Sequence, residues 1–140
     1  MIKIDSSDLN KFSVMLGELP DEIKDNIRKV VKNSAFNIER NAKSSASVKT
    51  GHLRRSISTK MGDMEATIHT SNLKYAPMVE FGTRPHIIRA KNKKALYWKG
   101  AKHPVKQVNH PGSKAKPYLI PAFEKEKDQF LEKLKEVIEW

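Results

Sequence analysis

The sequence contains no cysteine, which excludes disulfides, thiolate catalysis and cysteine-bearing zinc sites, and is compatible with maturation in a reducing cytoplasm. No run of about 18 apolar residues occurs, so no membrane-spanning helix is expected. The opening Met1-Ile2-Lys3-Ile4-Asp5 lacks an apolar run followed by a small-residue cleavage site, so export by a signal peptide is not expected either. Between Glu80 and Glu124 there is no acidic residue. Apolar residues make up 38% of the chain and charged residues 31%, which implies an economical core and segments that gain order on a partner. A length of 140 residues suits one domain and one modest core.

Basic residues are abundant. Lys and Arg number 27 against 16 Asp and Glu, a formal net charge of +11, and such a surface attracts nucleic acid or acidic protein faces alike. Most of that excess sits in the acid-free stretch, which carries Arg84, Arg89, Lys91, Lys93, Lys94, Lys99, Lys102, Lys106, Lys114 and Lys116.

Along the chain, Ser6 or Ser7 can cap a short first helix with apolar positions Leu9, Phe12, Val14 and Leu16, ending near Gly17. Pro20 suits the first position of a second helix. From there Ile23, Ile27, Val30, Val31, Ser34, Ile38 and Ala42 recur at spacings of three and four, which predicts a long amphipathic helix to about Ser45. The period then changes. Leu53, Ser56, Ile57, Thr59 and Met61, followed after Gly62-Asp63 by Met64, Ala66, Ile68 and Thr70, predict an antiparallel hairpin. A helical turn is expected over Tyr75–Phe81, ended by Gly82. A second pair of short strands is expected around Ile87-Ile88 and Ala95–Trp98, with Lys91–Lys94 as their turn. Residues 99–116 contain Gly100, Pro104, Pro111, Gly112 and five lysines, and read as a long basic loop or arm. After Pro121 a final helix presents Phe123, Phe130, Leu131, Leu134, Val137 and Ile138 on one face.

The catalytic templates fail. Glu80 is a lone acid among apolar neighbours and could be a perturbed carboxylate, yet no second carboxylate or histidine lies near it in sequence. His86, His103 and His110 match none of the short-spaced zinc patterns. No phosphate-cradling glycine loop or nucleophile elbow is present. No catalytic residue, cofactor or metal is expected, and the chain is read as a non-enzyme.

Three sequence elements remain. Thr50-Gly51-His52-Leu53-Arg54-Arg55-Ser56-Ile57 joins the long helix to the first strand. Tyr75-Ala76-Pro77-Met78-Val79-Glu80-Phe81-Gly82-Thr83 precedes the basic stretch. His110-Pro111-Gly112 and then Pro117-Tyr118-Leu119-Ile120-Pro121-Ala122 lead into the last helix, the two prolines fixing an extended approach. In this order the elements resemble the tail-component, tail-completion or head-tail joining proteins of tailed bacteriophages and prophages, over about residues 20–140. Tyr118 stands where that family usually has phenylalanine. The resemblance implies an α+β fold, assembly into a ring between head connector and tail tube, and no catalytic residues. It marks Thr50, Gly51, Leu53, Arg54, Ser56, Tyr75, Val79, Glu80, Gly82, His110, Pro111, Gly112, Pro117 and Pro121 as motif positions of structural importance.

The expectation is thus a single domain over residues 1–140. Its fold is α+β: a small antiparallel sheet packed against a long N-terminal and a C-terminal helix, with residues 1–19 a short helix, 20–98 and 117–140 the core, and 99–116 the basic loop or arm. Ile27, Ile38, Ile57, Ile68, Phe123 and Leu134 are expected to be largely buried. The arm is expected to be among the more mobile parts of the free protein. Lys91, Lys93, Lys94, Lys99, Lys102, Lys106, Lys114 and Lys116 are the candidate partner-binding residues. Their partners would be other phage structural proteins, namely a head connector or adaptor, a tail tube or a terminator, and further copies of the chain, in the virion and in the host cytoplasm during assembly. DNA is the alternative partner, since Tyr97 and Trp98 are interleaved with the lysines as stacking platforms.

Overall fold

A computed structural model of the chain describes Met15 and residues 17–139. The short first helix expected around residues 6–17 lies almost wholly outside the described residues. Helix α1 runs Asp21–Ser45. Pro20 sits just before it rather than at its first position: its ψ of 146 is extended, while its carbonyl accepts the first helical bond from the Lys24 N–H at 3.1 Å. Asp21 and Glu22 occupy the first turn, where negative charge complements the helix dipole. The helix buries Ile27, Ser34, Ala35, Ile38 and Ala42, the stripe that three-and-four spacing dictates.

Beyond Ala46 the chain turns through a short helix α2, His52–Ser56, where a strand was expected. Leu53, Ser56 and Ile57 have a spacing that one helical turn also satisfies. Strand β1, Ile57–Met61, therefore begins at Ile57 and pairs antiparallel with β2, Ala66–Thr70, with Ile57 opposite Thr70 and Met61 opposite Ala66. Gly62 donates its N–H to the Glu65 carbonyl at 2.8 Å, closing the connection. Helix α3, Ala76–Phe81, ends at Gly82 with φ 73, a value that favours glycine.

The second hairpin differs from expectation. Strand β3, His86–Arg89, pairs with β4, Gln107–His110, not with residues 95–98, which contribute only the isolated bridge Leu96 to Val105. The stretch 99–116 is accordingly no continuous loop, because β4 lies inside it. The final helix α4 runs Leu119–Ile138. It packs antiparallel on α1: Tyr118 and Ala122 meet Ala42 and Ala46 at one end, and Asn37 bonds Glu126 further along.

The fold is α+β, with two separate two-stranded sheets. Its core cluster joins Ile38, Ala42 and Ala46 from α1, Leu53 and Ile57, Ala76, and Tyr118 and Ala122, with Ile57 fully buried. Of the residues expected inside, Ile27, Ile38 and Ile57 are buried, Ile68 and Leu134 are half-buried, and Phe123 is 53% exposed. Ala122 and Glu126 form the inward line of α4, so Phe123, about 100° further round the helix, points off the core. No helix among the described residues is long and apolar enough to cross a membrane.

Candidate functional site

The motif elements converge at the N-terminus of α4. That helix has no Ser, Thr, Asp or Asn before it, and Tyr118 makes no side-chain cap, so its first amides need an acceptor from elsewhere. Glu80 supplies it from α3. Its Oε2 accepts from the Tyr118 N–H at 2.8 Å and the Leu119 N–H at 3.0 Å, and its Oε1 from the Ile120 N–H at 2.9 Å. The carboxylate is buried, and three charge-assisted bonds offset its desolvation. Glu80 is thus a helix cap acting across the fold, the structural outcome for the lone acid that sequence left open.

Around it, the Lys116 N–H reaches the Val79 carbonyl at 2.8 Å. The Tyr118 ring is buried, and desolvation, reinforced by the Glu80 charge and Tyr75, raises its phenol above the ordinary value. Pro117 and Pro121 flank the capped turn and are exposed.

Two glycines make the next junction. Thr83 and Ser113 exchange backbone hydrogen bonds at 3.0 and 3.1 Å, and their hydroxyls lie 3.0 Å apart. A Cβ on Gly82 would meet the Ser113 carbonyl oxygen at 2.6 Å, and one on Gly112 would overlap the Thr83 carbonyl oxygen. Both positions have positive φ, at 73 and 85, so only glycine lets the strands cross this closely. Pro111 precedes the crossing. His110 Nδ1 accepts from the Gly112 N–H at 3.0 Å, and the His110 ring stacks on His86 with centroids 4.9 Å apart. No group of three or more His, Cys, Asp or Glu able to hold a metal occurs among the described residues.

The Thr50–Ile57 element does its own work at the C-terminal end of α1, the end that the start of α4 also meets. Gly51 takes φ 78 ahead of α2. Leu53 enters the core, Arg54 donates to the Lys43 carbonyl in the last turn of α1 at 2.9 Å, and Ser56 bonds back to the Leu53 carbonyl at 2.7 Å. Thr50 is exposed, its carbonyl 3.4 Å from Arg55 Nη2. Glu39 of α1 accepts from Lys43 and from the Thr59 hydroxyl, contacts that hold its carboxyl below the ordinary value.

Past the glycine crossing, β3 and β4 form a ribbon that packs chiefly on itself. Every residue of β3 is exposed. Ile87 and Ile88 are open on it, and Tyr97 and Trp98 are 69% and 49% exposed beyond it. Lys91, Lys93, Lys94, Lys99, Lys102, Lys106, Lys114 and Lys116 are all exposed. None of them joins an ion pair: among the described residues those are limited to Lys24–Asp21, Arg28–Asp25, Arg28–Asp63 and Lys43–Glu39. Sequence reasoning counted these charges but missed the strand among them and the role of Glu80. An uncapped helix start at Pro117–Pro121, with a solitary apolar-flanked acid upstream, was the available signal.

Comparison with protein families returned a match over residues 10–82 to the family described as "Bacteriophage HK97-gp10, putative tail-component". The matched stretch takes in α1, α2, the first hairpin and α3, and stops at Gly82, where the ribbon begins. No curated protein and no solved structure matched the chain.

Proposed function

The chain belongs to the HK97-gp10-like family of bacteriophage tail components, and from that membership we propose that it completes the tail at the head-tail interface, assembling in a ring. The reading assigns no catalytic residue and no cofactor. The observation that supports the joining role is the basic stretch formed by the ribbon and the approach to α4: eight lysines, all exposed and none ion-paired, with open aromatic side chains among them. Burying them in the free chain would be costly, whereas an acidic neighbouring surface neutralises them and gains specificity and association rate. The partners are other structural proteins of the particle, on the connector or adaptor side and on the tail-tube or terminator side, with DNA passing nearby. The site of action is the virion, reached from the host cytoplasm.

Reversing Lys93, Lys94, Lys99 and Lys102 to Glu tests this. The variant is expected to fold normally but fail to join heads to tails in a complementation assay; infectious particles at the normal yield would show that the ribbon charge is dispensable. Because β4 lies inside residues 99–116, reversal is cleaner than deletion. A second reading, a nucleic-acid module, is favoured by Tyr97 and Trp98 among the lysines and predicts steeply salt-dependent binding to isolated DNA.

A further inference from the structure

The segment between β3 and β4 is held by backbone bonds of its own. The Ala90 N–H bonds the Lys106 carbonyl at 3.1 Å, and Leu96 and Val105 exchange backbone hydrogen bonds at 2.7 and 3.0 Å. A turn follows, in which the Ala101 N–H reaches the Trp98 carbonyl at 2.9 Å and Gly100 takes φ 102. Tyr97 and Trp98 are thereby fixed beside the ribbon. On the ribbon itself Ile88 pairs with Val108 two residues along from the His86–His110 pair, so all four share one face.

These pieces wall a cleft of about 510 Å³ lined by Ile88, Leu96, Trp98, Val108 and Pro111, with His110 beside them. The Gly112 N–H occupies His110 Nδ1, which in the neutral ring leaves a donor on Nε2. Ile88 and Trp98 are 38% and 49% exposed, so the cleft holds apolar surface open to water. A second hollow adjoins it. Leu96 and Tyr97 line both, and the second also holds Lys91 and Lys93. Both lysines are exposed and outside every ion pair of the described residues. No carboxylate lines either hollow, and the sequence has none between Glu80 and Glu124.

We propose that this double hollow binds a segment of an acidic neighbouring protein of the particle, seating one aliphatic or aromatic side chain in the cleft while carboxylates beside it meet Lys91 and Lys93. The inference deepens the assembly reading above and rests on it, giving the acidic neighbour an anchor as well as a charge. Charge raises the rate of encounter; a side chain desolvated in a pocket supplies much of the energy of an interface. A nucleobase suits the cleft less well, because aliphatic walls leave the polar edge of a base unpaired.

The test is an NMR titration of the full chain with short synthetic peptides. The first is a run of glutamates around one leucine, the second has serine in place of the leucine, and the third has glutamines in place of the glutamates. Oligothymidylate is the nucleic-acid probe. The first peptide is expected to shift Ile88, Val108 and the Trp98 indole together with Lys91 and Lys93, and the other two peptides to bind at least about tenfold more weakly. Trp98→Ala, and separately Lys91→Gln with Lys93→Gln, should weaken the first peptide by about the same factor, with the amide spectrum confirming an intact ribbon. Ile88→Thr, which keeps a β-branched residue in the strand, is the second cleft variant. No binding at about millimolar peptide, equal binding with and without the leucine, or shifts that miss Ile88 and Val108 would each overturn the anchor. Tighter binding of oligothymidylate at the same residues would overturn it in favour of nucleic acid, and cleft shifts that grow with the chain's own concentration in favour of a second copy. Complementation separates the two readings. Rescue of infectivity by the unaltered gene without peptide binding overturns the cleft and leaves the tail role standing; peptide binding without rescue overturns the tail role instead.

Discussion

The body and the ribbon of this chain are built on opposite principles. In the body, α1, the first hairpin, α3 and α4 surround a core around the fully buried Ile57. In the ribbon, two four-residue strands hold each other by their backbones, and every β3 side chain is exposed. The body's core is complete within one chain. The ribbon, with its unpaired lysines and open aromatics, is not. Such a division suits a protein whose fold must survive alone and whose surface has its use in company. The two regions meet at the Gly82–Gly112 crossing, next to the Glu80 cap that ties α3 to α4 within the body, so changes at these neighbouring points separate them most sharply.

The largest effect is expected at Glu80. Glu80→Ala leaves three amides at the start of α4 without their acceptor, including the buried one of Tyr118, and should lower unfolding free energy by about 3 to 5 kcal/mol in chemical denaturation. A loss under about 1 kcal/mol would mean that water replaces the carboxylate and the cap is incidental.

Gly112→Ala comes next and acts on the junction alone. It forces a side chain into a positive-φ position and against the Thr83 carbonyl, with an expected cost of about 1 to 3 kcal/mol. Hydrogen exchange should quicken in β3 and β4 while α1 keeps its protection. Equal quickening in both regions would show that body and ribbon unfold as one unit, and the comparison would fail.

Much of the body is legible in the sequence because its signals are local. The three-and-four spacing from Ile23 to Ala42 marks α1, and alternation around Gly62-Asp63 marks the first hairpin. What escapes is non-local. The second hairpin looks as though Lys91–Lys94 were its turn, yet Ile88 pairs with Val108 and leaves the residues between them to loop out. Glu80 reaches a helix some forty residues further along the chain, and no local pattern encodes that reach. The Leu53–Ser56 turn fits helix and strand spacing equally. Among the site residues, charge and exposure of the ribbon lysines followed from composition, whereas the exposure of Phe123 depended on which way α4 rotates.

A smaller, pH-selective effect is expected within the body at Glu39. Its bonds from Lys43 and Thr59 depress its carboxyl below the ordinary 4.5. A depressed folded-state value means that the stabilisation is whole above the unfolded-state value and is lost as pH falls through the folded one. Glu39→Gln should therefore flatten the loss of stability with acid below about pH 4.5, measured as the unfolding midpoint against pH.

The smallest effect is expected at Tyr118→Phe, and it is confined to alkali. Tyr118 is buried beside the Glu80 carboxylate, and desolvation together with that charge raises its phenol above the ordinary value of 10.0. The sign follows from linkage. Between the unfolded and the folded value the unfolded chain ionises and the native one does not, so stability present at neutral pH falls away as pH rises past about 10. Phenylalanine has no proton to lose, fills the same space and keeps the Tyr118 amide available to Glu80. The variant should therefore match the unaltered chain at pH 7 and outlast it in thermal melts above about pH 10. A variant that loses stability already at pH 7 would show that the hydroxyl holds a bond the body needs.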